Sequence, residues 1–379
     1  MHPRLHTALS LASLAALGPL AFDAVLPALP ALGKELGLSL PATRSLLAVY
    51  MAALASSHLL SAWAANALGK RTVLLAGALL FGAGGAMCAL AQAPWELQAG
   101  RILQGLGVGA AAALLPLLMR AHSSRGLRLL ADGAIPILAP AVGALFVLCA
   151  SWRHAFWLAA AAGLLLLVLL ASTPAGSISA GDRFQFGELM GNLAYLRYAA
   201  CHAMCFGALA AGAAALPVMA SMDLGLGAGH IALLQAAGAS IMLLLSYSSP
   251  DGPTRQRVTG GIAMMIMMAA FIVAWNELEK GVDPFYYLLG CWAMLCGGFS
   301  ACAMPLAAGA LKAAGQQARA GLSLLQFASH AVAAAAIQFT ARGNVEDTAL
   351  ITFGTAALMV LAGAAVLPFF IWRSAHVEH

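Results

Sequence analysis

The sequence predicts an all-α membrane protein, twelve transmembrane helices in two six-helix bundles. Three observations predict it. Of the 379 residues, 62% are hydrophobic and 9% charged, whereas soluble domains carry roughly a quarter charged residues and about half apolar ones. So few charges cannot cover a soluble globule of this size. Dividing about 235 apolar side chains by the ~20 residues of one bilayer crossing gives about twelve spans. Polar breaks then cut the chain into twelve apolar stretches, with a turn-rich segment between the sixth and the seventh. The same composition excludes a disordered chain, a secreted disulfide scaffold and a nucleic-acid binder.

The stretches run 7–29, 43–67, 72–93, 96–120, 127–150 and 153–173, then 193–220, 228–248, 258–276, 284–311, 318–340 and 348–372. Met1–His6 followed by an apolar run has the look of a signal peptide. Asp23 interrupts the would-be apolar region and the rest of the chain is equally apolar, so 7–29 reads as the first span. Between 173 and 193 lie Pro174, Gly176, Ser177, Ser179, Gly181 and Asp182, a linker composition. The predicted domains are therefore a bundle over 1–173, a cytoplasmic linker over 174–192 and a bundle over 193–379. With the N-terminus inside, the outer loops hold five basic residues, Lys34, Arg44, Arg153, Lys280 and Arg342, against thirteen in the inner loops and ends, with Arg101 left within a span. That asymmetry places both termini in the cytoplasm. The seven cysteines all fall inside apolar runs, without paired ligand spacing, and read as small core residues.

Asp23 is the only acidic residue well within a span, and a carboxylate in hydrocarbon is costly enough to be functional by default. It lies roughly 9 Å below the outer end of the first span, and Arg101 lies roughly 8 Å into the fourth, at ~1.5 Å per residue. The acid and the base are depth-matched, as a structural ion pair or a proton-coupling site requires. Pro19 and Pro27 flank Asp23, and Pro136, Pro140 and Gly143 break the fifth span; irregular membrane helices mark transport pathways. Tyr50, His58, Gln104, His202, Gln235, Trp292, Gln326 and His330 sit where they can line a substrate cavity. The histidines could serve as auxiliary proton sites, but they lie on separate helices without metal-ligand spacing. No catalytic motif, nucleotide loop or cofactor signature is present, so an enzyme is not expected.

The stretch Phe22-Asp23-Ala24-Val25-Leu26-Pro27-Ala28-Leu29-Pro30 resembles the end of helix one in Bcr/CflA-type drug-resistance transporters of the major facilitator superfamily. Gly100-Arg101-Ile102-Leu103-Gln104-Gly105-Leu106-Gly107 resembles their helix-four motif, in which the arginine and glutamine face the cavity. Ile135 to Gly143, followed by Trp152-Arg153 and Phe156, is similar to the helix-five antiporter motif, and Gly321 to Gln326 to a helix-eleven segment. The resemblance implies the major facilitator fold and a monomeric, proton-coupled exporter of small amphipathic molecules in a bacterial inner membrane. Asp23 and Arg101 would be its coupling residues, and small molecules, protons and lipid its only partners. The loop between helices two and three departs from the family pattern Gly-x-x-x-Asp-Arg-x-Gly-Arg-Arg. Here Asn66 and Ala67 replace the Asp-Arg pair ahead of Gly69, Lys70 and Arg71, so this conformational motif loses a charge-assisted latch. Some related exporters carry a second acid two turns before the helix-one aspartate, where this chain has Ala15. A dedicated carrier of a metallophore, siderophore or amino-acid-like solute is the alternative, and a non-transporting receptor or assembly protein a third.

Reporter fusions test the topology. A fusion after Thr173 or at His379 is expected to behave as cytoplasmic, and one within 277–283 as periplasmic. Opposite signals at two or more sites would dismantle the arrangement of six spans plus six.

Overall fold

The computed structural model describes residues 3–122, 134–172, 187–248, 254–274, 283–342 and 348–367. They form helices and short turns, with no strand among the described residues. In the first half these are α1 (Pro3–Ala21), a 3-10 turn (Leu26–Ala28), α2 (Leu29–Glu35), α3 (Leu40–Leu68), α4 (Lys70–Leu90), α5 (Pro94–His122), α6 (Ile135–Cys149) and α7 (Arg153–Ala171). The second half holds the short α8 (Gly187–Gly191), then α9 (Leu193–Met222), α10 (Ala228–Ser248) and α11 (Thr254–Val273). It continues with α12 (Pro284–Ala314), α13 (Ala318–Thr340) and α14 (Thr348–Ala365). Among the described residues, nine stretches are long and apolar enough to cross a membrane, and two of them, Ser10–Glu35 and Pro284–Thr340, each run through two α-helices. The chain is a multi-pass membrane protein.

Two compact units emerge. One gathers the described residues of Met1–Phe184 with Gly227–Ala232, the other those of Gln185–Leu226 with Leu233–His379. Local chemistry sets the helix ends. Ser39 caps α3 by accepting from the Ala42 amide at 3.3 Å, Asn192 caps α9 from Tyr195 at 3.0 Å, and Asp283 caps α12 from Phe285 at 2.8 Å. These side-chain oxygens satisfy amides that a helix start leaves open. Gly69 joins α3 to α4 without a linker, at a φ of +82° that an L side chain resists.

Lipid tails are as apolar as leucine, so membrane helices associate through close backbone contact at small residues. In the first unit a Cβ on Gly107 of α5 would stand 2.5 Å from the Gly77 carbonyl oxygen of α4, and one on Gly84 of α4 would stand 2.6 Å from that of Gly100. Gly105 meets the Tyr50 carbonyl of α3 in the same way, and Gly85 the Ala160 amide of α7. In the second unit Gly261 of α11 and Gly298 of α12 press backbone to backbone. Six of the seven free cysteines are buried and Cys149 is exposed, in keeping with packing roles.

Two expectations change. The first span is not one helix over 7–29 but is interrupted between α1 and the 3-10 turn. Arg44, counted as an outer-loop cation, is instead buried in the second turn of α3, because α3 begins at Leu40, three residues earlier than the apolar run suggests.

Gly107→Ala is expected to lower the melting midpoint, at a cost of about 1–3 kcal/mol, because backbone rather than a flexible side chain opposes the new methyl. Gly260→Ala, with nothing within 4 Å of the added atom, is the control and should leave the midpoint unchanged or raise it, since alanine is the better helix former. Thermal unfolding in detergent checks both.

Candidate transport site

The interruption in the first span follows from its prolines. Pro27 has no amide hydrogen to offer the Asp23 carbonyl four residues earlier, and its ring would collide with that carbonyl in a helix. Pro30 does the same to Leu26. The backbone changes pattern accordingly. The Ala24 amide reaches back five residues to Pro19 at 3.1 Å, while Val25 and Ala28 reach back only three, to Phe22 at 3.2 Å and Val25 at 2.9 Å. In a continuous helix the Ala21 carbonyl would receive the Val25 amide and the Ala24 carbonyl the Ala28 amide. Both lack that bond, as does the Asp23 carbonyl between them, whose donor would have been Pro27.

The Ala21 and Ala24 carbonyls each meet a neighbouring helix. Arg101 of α5 donates from Nη1 to the Ala21 carbonyl at 2.6 Å and to Gln104 Oε1 at 2.8 Å, and its Nε reaches the Leu46 carbonyl at 3.5 Å. Its guanidinium carbon sits 4.3 Å from the centre of the Tyr50 ring, and Tyr50 stacks on Phe22 with centroids 6.3 Å apart. The Ala24 carbonyl faces Gly143 of α6 so closely that a Cβ there would overlap the oxygen. Asp23 itself is half-buried and forms no ion pair with Arg101; the unit's Arg153 pairs instead with Glu35. The depth-matched acid and base are thus joined through the break in the backbone. Arg101 Nη2 and Gln104 Nε2 remain buried without a hydrogen-bond partner among the described residues.

The other expected residues divide by exposure. Tyr50, His58 and Gln104 are buried within the first unit, and Gln235 and Trp292 within the second. Gln235 donates to the Ala213 carbonyl at 3.3 Å. His202, Gln326 and His330 are half-exposed on α9 and α13. Of the loop motif, Arg71 caps the end of α7 by donating to the Ala171 carbonyl at 2.9 Å, Lys70 opens α4, and Asn66 is exposed. Pro136 lies in the first turn of α6, and Pro140 and Gly143 are buried on it.

Residues 11–337 match the Major Facilitator Superfamily. The chain belongs to that family. A relative is the "Multidrug resistance protein MdtL" of Escherichia coli O45:K1 (strain S88 / ExPEC), 28% identical over 303 residues that cover 76% of each chain. The protein of the same name from Shigella boydii serotype 18 (strain CDC 3083-94 / BS512) matches to the same extent. Among solved structures, the peptide transporter POT in complex with sulfate superposes with a TM-score of 0.73 at 15% identity, over 95% of this chain and 93% of that one. A D-xylose-proton symporter gives 0.69 at 16% identity, over 96% and 98%. These matches are to transporters rather than enzymes.

Within this Major Facilitator Superfamily member, sequence reasoning missed a clasp at the far end of α2. Glu35 accepts from Trp152 Nε1 at 2.7 Å and from Arg153 Nη2 at 2.9 Å. Arg153 also donates to the Ala91 carbonyl at 2.9 Å and stacks 4.2 Å from the Trp152 ring. The signal was present in the Trp152-Arg153 pair, but nothing in the spacing named Glu35 as its partner. The clasp anchors α2 to the end of α4 and the start of α7, so the piece of the first span beyond the break is held independently of α1.

Gly143→Ala is expected to push α6 off the Ala24 carbonyl, costing about 1–3 kcal/mol and most of the transport activity. Gly187→Ala, with open space around it, should change neither. Melting midpoint and substrate uptake into vesicles report the two effects separately.

Proposed function

We propose that the chain is a proton-coupled exporter of small amphipathic molecules, working by alternating access in a bacterial inner membrane. The observation that carries this reading is the interrupted first span, with a half-buried carboxylate at the break and a buried arginine holding the neighbouring carbonyl. Intramembrane broken helices place substrate and ion sites where backbone and side chains line a cavity. A membrane-embedded carboxylate that must be desolvated or hydrated as access alternates is suited to binding and releasing a proton. Asp23 is the proposed proton site and Arg101 the residue that fixes its surroundings. The drug-resistance relatives support an amphipathic cargo and do not favour a dedicated metallophore or amino-acid carrier.

The proposed arrangement has twelve spans, six within 1–173 and six within 193–379, joined by a cytoplasmic linker over 174–192 with both termini inside. It works as a monomer with lipid, protons and its cargo as partners, and without nucleic acid, metal or organic cofactor. His202, Gln326 and His330, half-exposed, would touch cargo. Tyr50, His58, Gln104, Gln235 and Trp292, buried, would shape the walls behind. Asn66, Gly69, Lys70 and Arg71 would form the cytoplasmic conformational loop, and Pro136, Pro140 and Gly143 the moving contact with the break.

Asp23→Asn tests the reading. Amide and carboxyl groups are nearly the same size, so the variant should fold with an unchanged melting midpoint. In reconstituted vesicles it is expected to lose transport driven by a pH gradient while still binding cargo. Full gradient-driven transport in the variant would make Asp23 structural and place coupling elsewhere.

A further inference from the structure

The last helix of the second unit packs on one face and leaves another open. Thr352, Phe353, Ala356, Val360 and Gly363 of α14 are buried, at the three- and four-residue steps that put side chains on one side of a helix. Phe353 lies against Gly212 of α9, and Gly363 against Cys201 and Met204 of the same helix; α11 also packs on α14. α13, the neighbour in sequence, touches α14 in few places. Between these two runs an open groove of about 500 Å³. Phe339 and Arg342 line it at the end of α13, and Ile351, Gly354, Thr355 and Leu358 line it along α14.

The groove begins at the level of the lipid headgroups. α14 holds 18 residues, about 27 Å at ~1.5 Å per residue, close to the ~30 Å hydrocarbon core of a bilayer. Its first residue, Thr348, therefore lies near the interface. So does Arg342, which stands just beyond Thr340, the last residue of α13. Arg342 is exposed and carries the only charge of the lining. Its side chain has no hydrogen bond or ion pair among the described residues. Apart from Thr355 the walls below it are apolar. Phe339 is 57% exposed and Leu358 67%, and a Cβ on Gly354 would stand in open space.

We propose that this groove seats one phospholipid, with its phosphate on Arg342 and an acyl chain along Ile351, Gly354 and Leu358. The inference rests on the chain's place in a membrane and not on the export reading. Two complementarities support it. A guanidinium offers paired N–H donors to phosphate oxygens, and at headgroup level a cation is drawn to an anionic lipid. Below that level, a concave apolar wall gains dispersion contacts on several sides of an acyl chain, where a convex helix face gains them on one. A lipid held in this way touches α13 and α14 together, and joins two helices that scarcely touch each other.

The test uses the full chain, freed of lipid in dodecyl maltoside and examined by native mass spectrometry. Dioleoyl phosphatidylglycerol is one probe, and dioleoylglycerol, with the same chains and no phosphate, is the other. The expected result is one phosphatidylglycerol retained per chain, with dioleoylglycerol held about fivefold less well, the scale of one cation beside an anionic headgroup. Arg342→Gln should bring phosphatidylglycerol down to the level of dioleoylglycerol. Gly354→Phe, whose ring enters open space rather than protein, should cut retention of both probes while the lipid-free melting midpoint stays at or above that of the wild type.

Equal retention of the two probes by the wild type would overturn the proposal. An arginine spent on Glu346 or Asp347, which follow it in the sequence, gives that result, and so does a groove that takes an acyl chain alone. Phosphatidylglycerol retained undiminished in both variants would place the lipid elsewhere and overturn it too. Displacement of the lipid by ethidium would make the groove a cargo pocket, and a doubled mass lost in Gly354→Phe would make it a contact between two copies of the chain. Either outcome contradicts the proposal. Absent transport with the expected lipid results intact would count only against the export reading.

Discussion

A membrane-spanning helix cannot leave its carbonyls open in hydrocarbon, and the first span of this chain opens those around Asp23. Everything around Asp23 answers that constraint. Pro27 and Pro30 force the backbone off its helical path, which diverts the Val25 and Ala28 amides; Arg101 supplies a donor to Ala21, and Gly143 lets α6 close over Ala24. The carboxylate between them is held at a fixed place by backbone, without a side-chain partner of its own among the described residues. A carboxylate placed in this way is free to change its hydration without first breaking a salt bridge.

Arg101 occupies the most constrained position in the first unit. It is 1% exposed, carries a full charge, and distributes it over two carbonyls, one amide oxygen and an aromatic face. Burial of an unpaired charge is costly, and this set of acceptors offsets that cost without a carboxylate. Lysine could not reproduce it, since one ammonium nitrogen cannot serve Ala21 and Gln104 as Nη1 does, reach the Leu46 carbonyl as Nε does and lay a planar group on Tyr50. The glycines of α5 make this geometry possible by bringing α3 and α4 to backbone distance on either side of the arginine.

Much of this was legible from residue order. The acid in an apolar run, the prolines around it, the arginine at matching depth and the glycine of the fifth span all stood out before any coordinates. What could not be read was azimuth. Depth counts residues along a helix, so it put Asp23 and Arg101 at one level without saying that Arg101 turns to the Ala21 carbonyl. For the same reason the Glu35 clasp and the hydrogen bond between His202 and Ser329 were invisible, each joining residues more than a hundred positions apart. Arg44 was misplaced because a cation next to a loop signal looks exposed, and only packing reveals that α3 takes it in.

The central claim is that the carboxylate at the break exchanges its proton for cargo. Infrared difference spectroscopy on the reconstituted protein tests it most directly, with tetraphenylphosphonium added as an amphipathic cation at mildly acidic pH. The expected result is loss of a protonated-carboxyl stretching band on binding, present in the wild type and missing from Asp23→Asn. An unchanged carboxyl band on binding, or a loss that survives in Asp23→Asn, would contradict it.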